Sequence, residues 1–222
     1  MTGKYDLVCF DMDGVLTKLR SSWCWIHTCF GVDNEKSYRA FVNGEIDEPE
    51  FMRRDIGLWK TAKPDVNTKD LVRFFQDMPL IDGIQETVAA LRDNGMCCVI
   101  ISGGIDIAAE MLVNEFGFDS CIADHLETEP DGTLTGEGRV VVDLRDKGVY
   151  VRQYIERNHT AKERTVSIGN SFTDIPMFKQ SGVSIAFNPT DKYTEEAATY
   201  TVKSENIADI LDLLLPEETP AH

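Results

Sequence analysis

In LVCFDMDGVLT, Leu7 to Thr17, two aspartates one residue apart follow an apolar run. Like charges at that spacing repel, and neither carboxylate is easily buried without a partner. Asp11 and Asp13 therefore belong either in a solvated turn or around a shared cation. Other polar groups follow comparable runs. Ser102, Gly103 and Gly104 come after MCCVII. A hydroxyl, two glycines and the opening of a helix form a cradle for an anion, because free backbone N–H groups point outward and glycine permits close approach. NSFTD, Asn170 to Asp174, follows TVSIG, and Lys147 opens an amphipathic segment in RDKGVYV.

Each of these features alone is an ordinary turn, cap or surface charge. In this order, each at a predicted strand end or helix start, they fit one chemistry. A carboxylate attacks phosphorus when a metal neutralises its repulsion from the phosphate. Mg2+ suits such a site, because it takes hard oxygen ligands and keeps room for water and a phosphate oxygen. Asp11 is then the expected nucleophile and a metal ligand. Asp13 is expected to protonate the leaving alcohol and afterwards to activate water. Ser102, Gly103 and Lys147 are expected to hold the non-bridging oxygens, whose charge needs stabilising in the transition state.

The elements that must position these residues read as an α/β fold. LVCF, MCCVII, TVSIG, VSIAF and TYTV have the composition of buried strands. Between them Ile105, Ala108, Ala109, Leu112 and Phe116 recur at helical spacing, as do Ile207, Ile210, Leu211 and Leu214. That alternation implies a parallel sheet covered on both faces, with the ligand crevice at the carboxyl ends of its strands. From Lys18 to Pro79 the alternation stops. This segment holds all three tryptophans and reads as helices, with turns at GVDN and NGEIDEPE. Leaving the sheet directly after Asp13, it must hang over the crevice. HLETEPDGTLTGEGRVVV reads as one or two hairpins turning at DGT and GEG. The expected division is a core of residues 1–17 and 80–215, a helical cap of residues 18–79, and a flexible tail of residues 216–222.

A net charge of −16 over 222 residues argues against nucleic acid and against an anionic membrane surface as partners. The longest apolar run, MCCVII, is far short of the ~20 residues of a membrane helix. The N-terminus shows no secretory pattern. The six cysteines include no CxxC pair and read as reduced, buried small hydrophobes rather than a metal or redox site. A cytoplasmic monomer or homodimer is expected.

On these motifs the chain resembles the haloacid dehalogenase-like hydrolases, and within them the phosphoserine phosphatase-like branch. DMDGVLT, IISGGIDIA, Lys147 in DKG and GNSFTDIPMF match the four motifs, and the insertion is similar to that branch's helical cap. The resemblance implies a Rossmann-like core, Mg2+, and hydrolysis of a small phosphorylated metabolite through an aspartyl-phosphate. Transfer to an alcohol, and a non-catalytic phosphate-binding or regulatory module, are the alternatives. The implied metal set is Asp11, Asp13, Asn170 and Asp174, with Asn170 standing where the family has an aspartate. Thr173 replaces an asparagine. In the cap, Arg20 stands where the branch has an acid, and Asp55, beside Arg53 and Arg54, falls near its arginine. Arg20, Arg53 and Asp55 are the expected substrate contacts, and the reversal favours a substrate with a second anionic group. The alternative is an Arg20–Asp55 salt bridge inside the cap.

Overall fold

The structure, a computed structural model, describes residues 4–215, so the expected tail lies outside the described residues. A seven-stranded sheet runs in the order β4-β3-β2-β1-β5-β6-β7. Its strands are β1 (Leu7–Phe10), β2 (Cys97–Ile105), β3 (Ser120–Thr128), β4 (Leu134–Arg139), β5 (Thr165–Gly169), β6 (Val183–Phe187) and β7 (Tyr200–Val202). All neighbouring pairs are parallel except β3 with β4. Alternation of side chains across a strand divides β1 between two cores. Val8 and Phe10 join Ile100, Ile168 and Ile185 on one face. Leu7 and Cys9 join Val99, Ile101 and Met177 on the other.

Helices cover both faces, as the two-sided burial of a parallel sheet requires. α1 (Ser22–Phe30), α2 (Glu35–Val42), α3 (Glu48–Ala62) and α4 (Thr68–Gln76) lie between β1 and the following α5 (Ile84–Asp93). The rest are α6 (Asp106–Phe116), α7 (Gly148–Arg157), α8 (Ile175–Lys179), α9 (Lys192–Ala197) and α10 (Leu211–Leu214). Both expected turns fall between helices: Gly31 ends α1 in the left-handed region, and Asp47 caps α3 by accepting from Glu50 N. Ile56, Trp59, Leu71 and Phe75 of the insertion belong to the same core as Val8 and Phe10. Trp59 is fully buried, stacked on Trp23 with ring centroids 5.4 Å apart.

Three local readings change. Residues from Ser120 onward form a parallel neighbour of β2 before turning into the hairpin. GEG is not a turn but lies within β4. Ile207 to Leu214 forms a 3-10 turn and one short α-turn rather than a full helix. Among the described residues all six cysteines are free, but only Cys9 and Cys98 are buried and Cys24 is exposed; no helix is long and apolar enough to cross a membrane.

The order places β1 at the switch point. The chain proceeds from β1 to β2 and β3 on one side and to β5, β6 and β7 on the other. Asp11 continues β1 by donating its N–H to Ile168 O at 2.9 Å, and the crevice opens there.

Candidate active site

Asp11, Asp13, Ser102, Gly103, Lys147 and Asn170 line one cleft of about 830 Å³ above the ends of β1, β2 and β5. The turn after β1 is tight. Met12 O accepts from the N–H groups of Val15, Leu16 and Thr17, and Gly14 takes a φ of +83°. A Cβ on Gly14 would lie 1.9 Å from Asn170 Nδ2, so only glycine lets these two loops meet.

Lys147, at the start of α7, is the positive centre. Its side chain is 1% exposed, and Nζ donates to Asp11 Oδ1 at 2.9 Å and to Asp174 Oδ1 at 2.6 Å. An ammonium has three donors, so one remains for the cleft. Burial alone would lower the Lys147 pKa, but the two carboxylates outweigh it and hold it well above the usual range. Asp174 is fully buried, and its other oxygen accepts from the N–H groups of Asn170 at 2.9 Å and Ser171 at 3.1 Å. A Cβ at Gly169 would lie 2.4 Å from Asp174 Cβ, so the glycine ending β5 makes the space.

One lysine does not balance the carboxylates around it. Burial, then the Asp174 charge, push the Asp11 carboxyl up to about 7 against the pull of Lys147. Burial raises Asp13 as well, opposed by Ser22. Ser22 is a residue the sequence reading missed. Its N–H and hydroxyl donate to Asp13 Oδ2 at 2.9 and 3.0 Å, and its Oγ accepts from Ile105 N at 3.1 Å. The first N–H of α1 and the Ser22 hydroxyl thus hold the second carboxylate. Ser102 Oγ accepts from Gly104 N at 3.0 Å, which leaves the hydroxyl proton for the cleft.

A divalent cation fits the oxygen donors here. Asp11 Oδ2 and the Asn170 carboxamide have no hydrogen-bond partner among the described residues, and both groups border the cleft beside Asp13. Two carboxylates and a carboxamide are the hard oxygen donors that a divalent cation takes. No cluster of three or more acidic, histidine or cysteine side chains suited to a metal occurs among the described residues. Asp174, also expected as a ligand, spends its oxygens on Lys147 and on the N–H groups of Asn170 and Ser171.

The expected cap contacts separate. Arg20 is exposed, lines the cleft, and has no ion pair among the described residues. Arg53 lies at the surface, bound to Glu137 and Glu50, and Arg54 also pairs with Glu50. Asp55 is buried away from the cleft. It accepts from Asn34 Nδ2 at 3.1 Å and His27 Nε2 at 3.1 Å, so the alternative Arg20–Asp55 salt bridge does not form. His27 and Asn34 are far from Asp55 in sequence, and no local pattern signals the contact.

The profile of the haloacid dehalogenase-like hydrolases matches residues 8–179. A phosphoserine phosphatase of Methanocaldococcus jannaschii is 27% identical over 215 residues, covering 95% of this chain and 98% of the relative. One from Archaeoglobus fulgidus is 27% identical over 216 residues, covering 96% of this chain, which spans 61% of that protein's length. A solved structure described as a phospho-aspartyl intermediate analogue of phosphoserine phosphatase superposes with a TM-score of 0.78 at 26% identity, covering 96% of this chain and all of the other. The chain belongs to the haloacid dehalogenase-like hydrolase family, in its phosphoserine phosphatase-like branch.

Proposed function

We propose that this chain is a Mg2+-dependent phosphatase that hydrolyses a small phosphomonoester through an aspartyl-phosphate on Asp11. The observation that carries this reading is the orientation of the Asp11 carboxylate. Lys147 holds Oδ1, leaving Oδ2 free toward the cleft that Ser102 and Asp13 also line. The likeness to a phospho-aspartyl analogue structure supports it.

Oδ2 attacks phosphorus as the bond to the alcohol oxygen breaks, and Asp13, whose hold on a proton is strengthened by burial, protonates the departing alkoxide. Asp13 then takes a proton from the water that attacks the aspartyl-phosphate, releasing phosphate and restoring the Asp11 carboxylate. The free Ser102 hydroxyl and the third Lys147 proton stabilise the non-bridging oxygens. Asp174 acts through Lys147, since its own oxygens are occupied. Asp11, Asp13 and Asn170 would hold Mg2+, which when bound supplies the positive charge that lets a carboxylate approach a phosphate. The insertion, whose residues Lys18 to Ser21 line the cleft and whose helices α1–α3 line the adjoining cavity, serves as a cap beside the site.

The test is hydrolysis of p-nitrophenyl phosphate. Turnover that requires Mg2+, and that yields no phosphorylated product from added alcohols, supports the reading; Mg2+-independent turnover contradicts it. At residue 170 the neutral amide limits metal affinity. Asn170→Asp is expected to tighten Mg2+ about tenfold, because ligand charge sets affinity at oxygen sites. The Mg2+ concentration dependence of Tm, measured without substrate, reports it. An unchanged or weaker dependence contradicts Asn170 as a ligand.

A further inference from the structure

A second cavity, of about 360 Å³, adjoins the cleft and shares Arg20, Ser21, Gly103 and Leu144 with it. It lies between α1–α3 and the sheet, where the alcohol part of a bound ester would extend. Its walls combine two chemistries. Trp23, Tyr38, Phe41 and Phe51 supply aromatic rings. The Phe41 and Phe51 rings stack with centroids 4.9 Å apart, and Trp23 is pinned by its indole N–H to Gly103 O at 3.1 Å. Glu48, Asp55 and Asp124 supply carboxylates.

Among the described residues none of these carboxylates is paired with a lysine or arginine. Asp124 is 3% exposed, and its Oδ1 accepts from Val141 N at 2.7 Å and Val142 N at 2.9 Å, while Oδ2 has no partner among the described residues. No described side-chain oxygen or nitrogen is both sealed from solvent and unpartnered, so Oδ2 opens onto the cavity that Asp124 lines. Asp55 is held by a neutral ring. Trp59 Nε1 can only donate and gives its proton to His27 Nδ1 at 2.8 Å, which leaves the imidazole hydrogen on Nε2, facing Asp55. A second proton on His27 would break the Trp59 bond. Around Glu48, Arg145 is offset by Asp143. Glu35, also on the lining, is paired with Arg39. Among the described residues Arg20 is the one cationic side chain on the lining, and it stands at the threshold shared with the cleft.

Aromatic rings beside carboxylates without cationic partners are the setting that recognises an ammonium group. We infer that the second cavity receives an ammonium group on the alcohol part of the substrate, making the preferred substrate an amino-alcohol phosphate without a carboxylate. This rests on the phosphatase reading above. It departs from the second anionic group expected from Arg20 and the neighbouring arginines. Arg53 and Arg54 are committed elsewhere, and a carboxylate passing Arg20 would meet Asp55 and Asp124.

The test compares kcat/KM for phosphocholine and phosphoethanolamine with that for 3,3-dimethylbutyl phosphate, the neutral isostere of phosphocholine, and for phosphoglycolate. p-Nitrophenyl phosphate reports the chemistry itself. At least one ammonium substrate is expected to exceed both comparators about tenfold. In Tyr38→Ala and Asp124→Asn that ratio is expected to fall below about threefold, chiefly through KM. Tyr38 is exposed, so its removal spares the core. A ratio taken within one preparation is also insensitive to any loss of folded protein. Hydrolysis of p-nitrophenyl phosphate with no ammonium preference, or an unchanged ratio in both variants, overturns the inference and leaves the phosphatase reading standing. Failure of p-nitrophenyl phosphate and the ammonium substrates alike overturns both.

Discussion

Lys147→Met is expected to destabilise the fold by about 3–5 kcal/mol at pH 8, the cost of removing one partner from a buried charge cluster. Its Nζ is the cation in contact with both Asp11 and Asp174, which are 6% and 0% exposed. Without it two carboxylates face each other with no positive charge between them. The deficit is expected to shrink toward pH 4, where protonation relieves the repulsion. Urea midpoints at the two pH values measure it. Lys147→Arg keeps the charge and is expected to recover much of the stability, but not the turnover, because a planar guanidinium cannot present the same three donors in this space. A methionine variant as stable as the parent at pH 8 contradicts the assignment.

Asp11→Asn has the opposite signature. Turnover of p-nitrophenyl phosphate is expected to fall by roughly 10⁴-fold or more, as when a nucleophile is removed. Stability without Mg2+ is expected to rise. The folded Asp11 pKa is raised from 3.8 to about 7, so the native state binds more protons than the unfolded chain across that window. Its contribution to stability therefore falls as pH rises through the window. Asparagine carries no such penalty, and its oxygen still accepts from Lys147. In EDTA the Tm advantage of the variant should widen from pH 5 to pH 8. A variant that is less stable at pH 8, or that retains turnover beyond slow deamidation, contradicts the account.

The candidate cleft was legible because its residues sit at the ends of short apolar runs. Asp11 after LVCF, Ser102 after MCCVII and Asn170 after TVSIG each follow a strand the composition marks, and parallel order brings those ends together. β3 escaped notice because its first three residues are only half-buried, and Asp124 and His125 interrupt the apolar pattern. GEG misled because glycine has two meanings in a strand. A Cβ at Gly138 would lie 2.5 Å from Met52 Sδ and 2.9 Å from His125 O, so that glycine admits α3 rather than making a turn. Ser22 and the His27–Asp55–Asn34 group arise from contacts across the chain that no local spacing encodes.

The different fates of Arg20 and Arg53 have a similar origin. Both read as cap cations, but helical periodicity puts Arg53 within one turn of Glu50 and beside Glu137 of β4. Arg20 precedes α1 and stays at the cleft. A charge count along the sequence thus overstates the positive field at the site, and Lys147 carries most of it.

The central claim is that the Asp11 carboxylate becomes phosphorylated during turnover. An acyl phosphate is reduced by borohydride to an alcohol, whereas a free carboxylate is not. The protein is mixed with p-nitrophenyl phosphate and Mg2+, quenched in acid, reduced, and mapped by mass spectrometry. The account predicts homoserine in place of Asp11, dependent on substrate and absent from Asp11→Asn. Reduction at a different carboxylate, or sustained turnover with residue 11 unmodified under conditions that trap acyl phosphates, would contradict it.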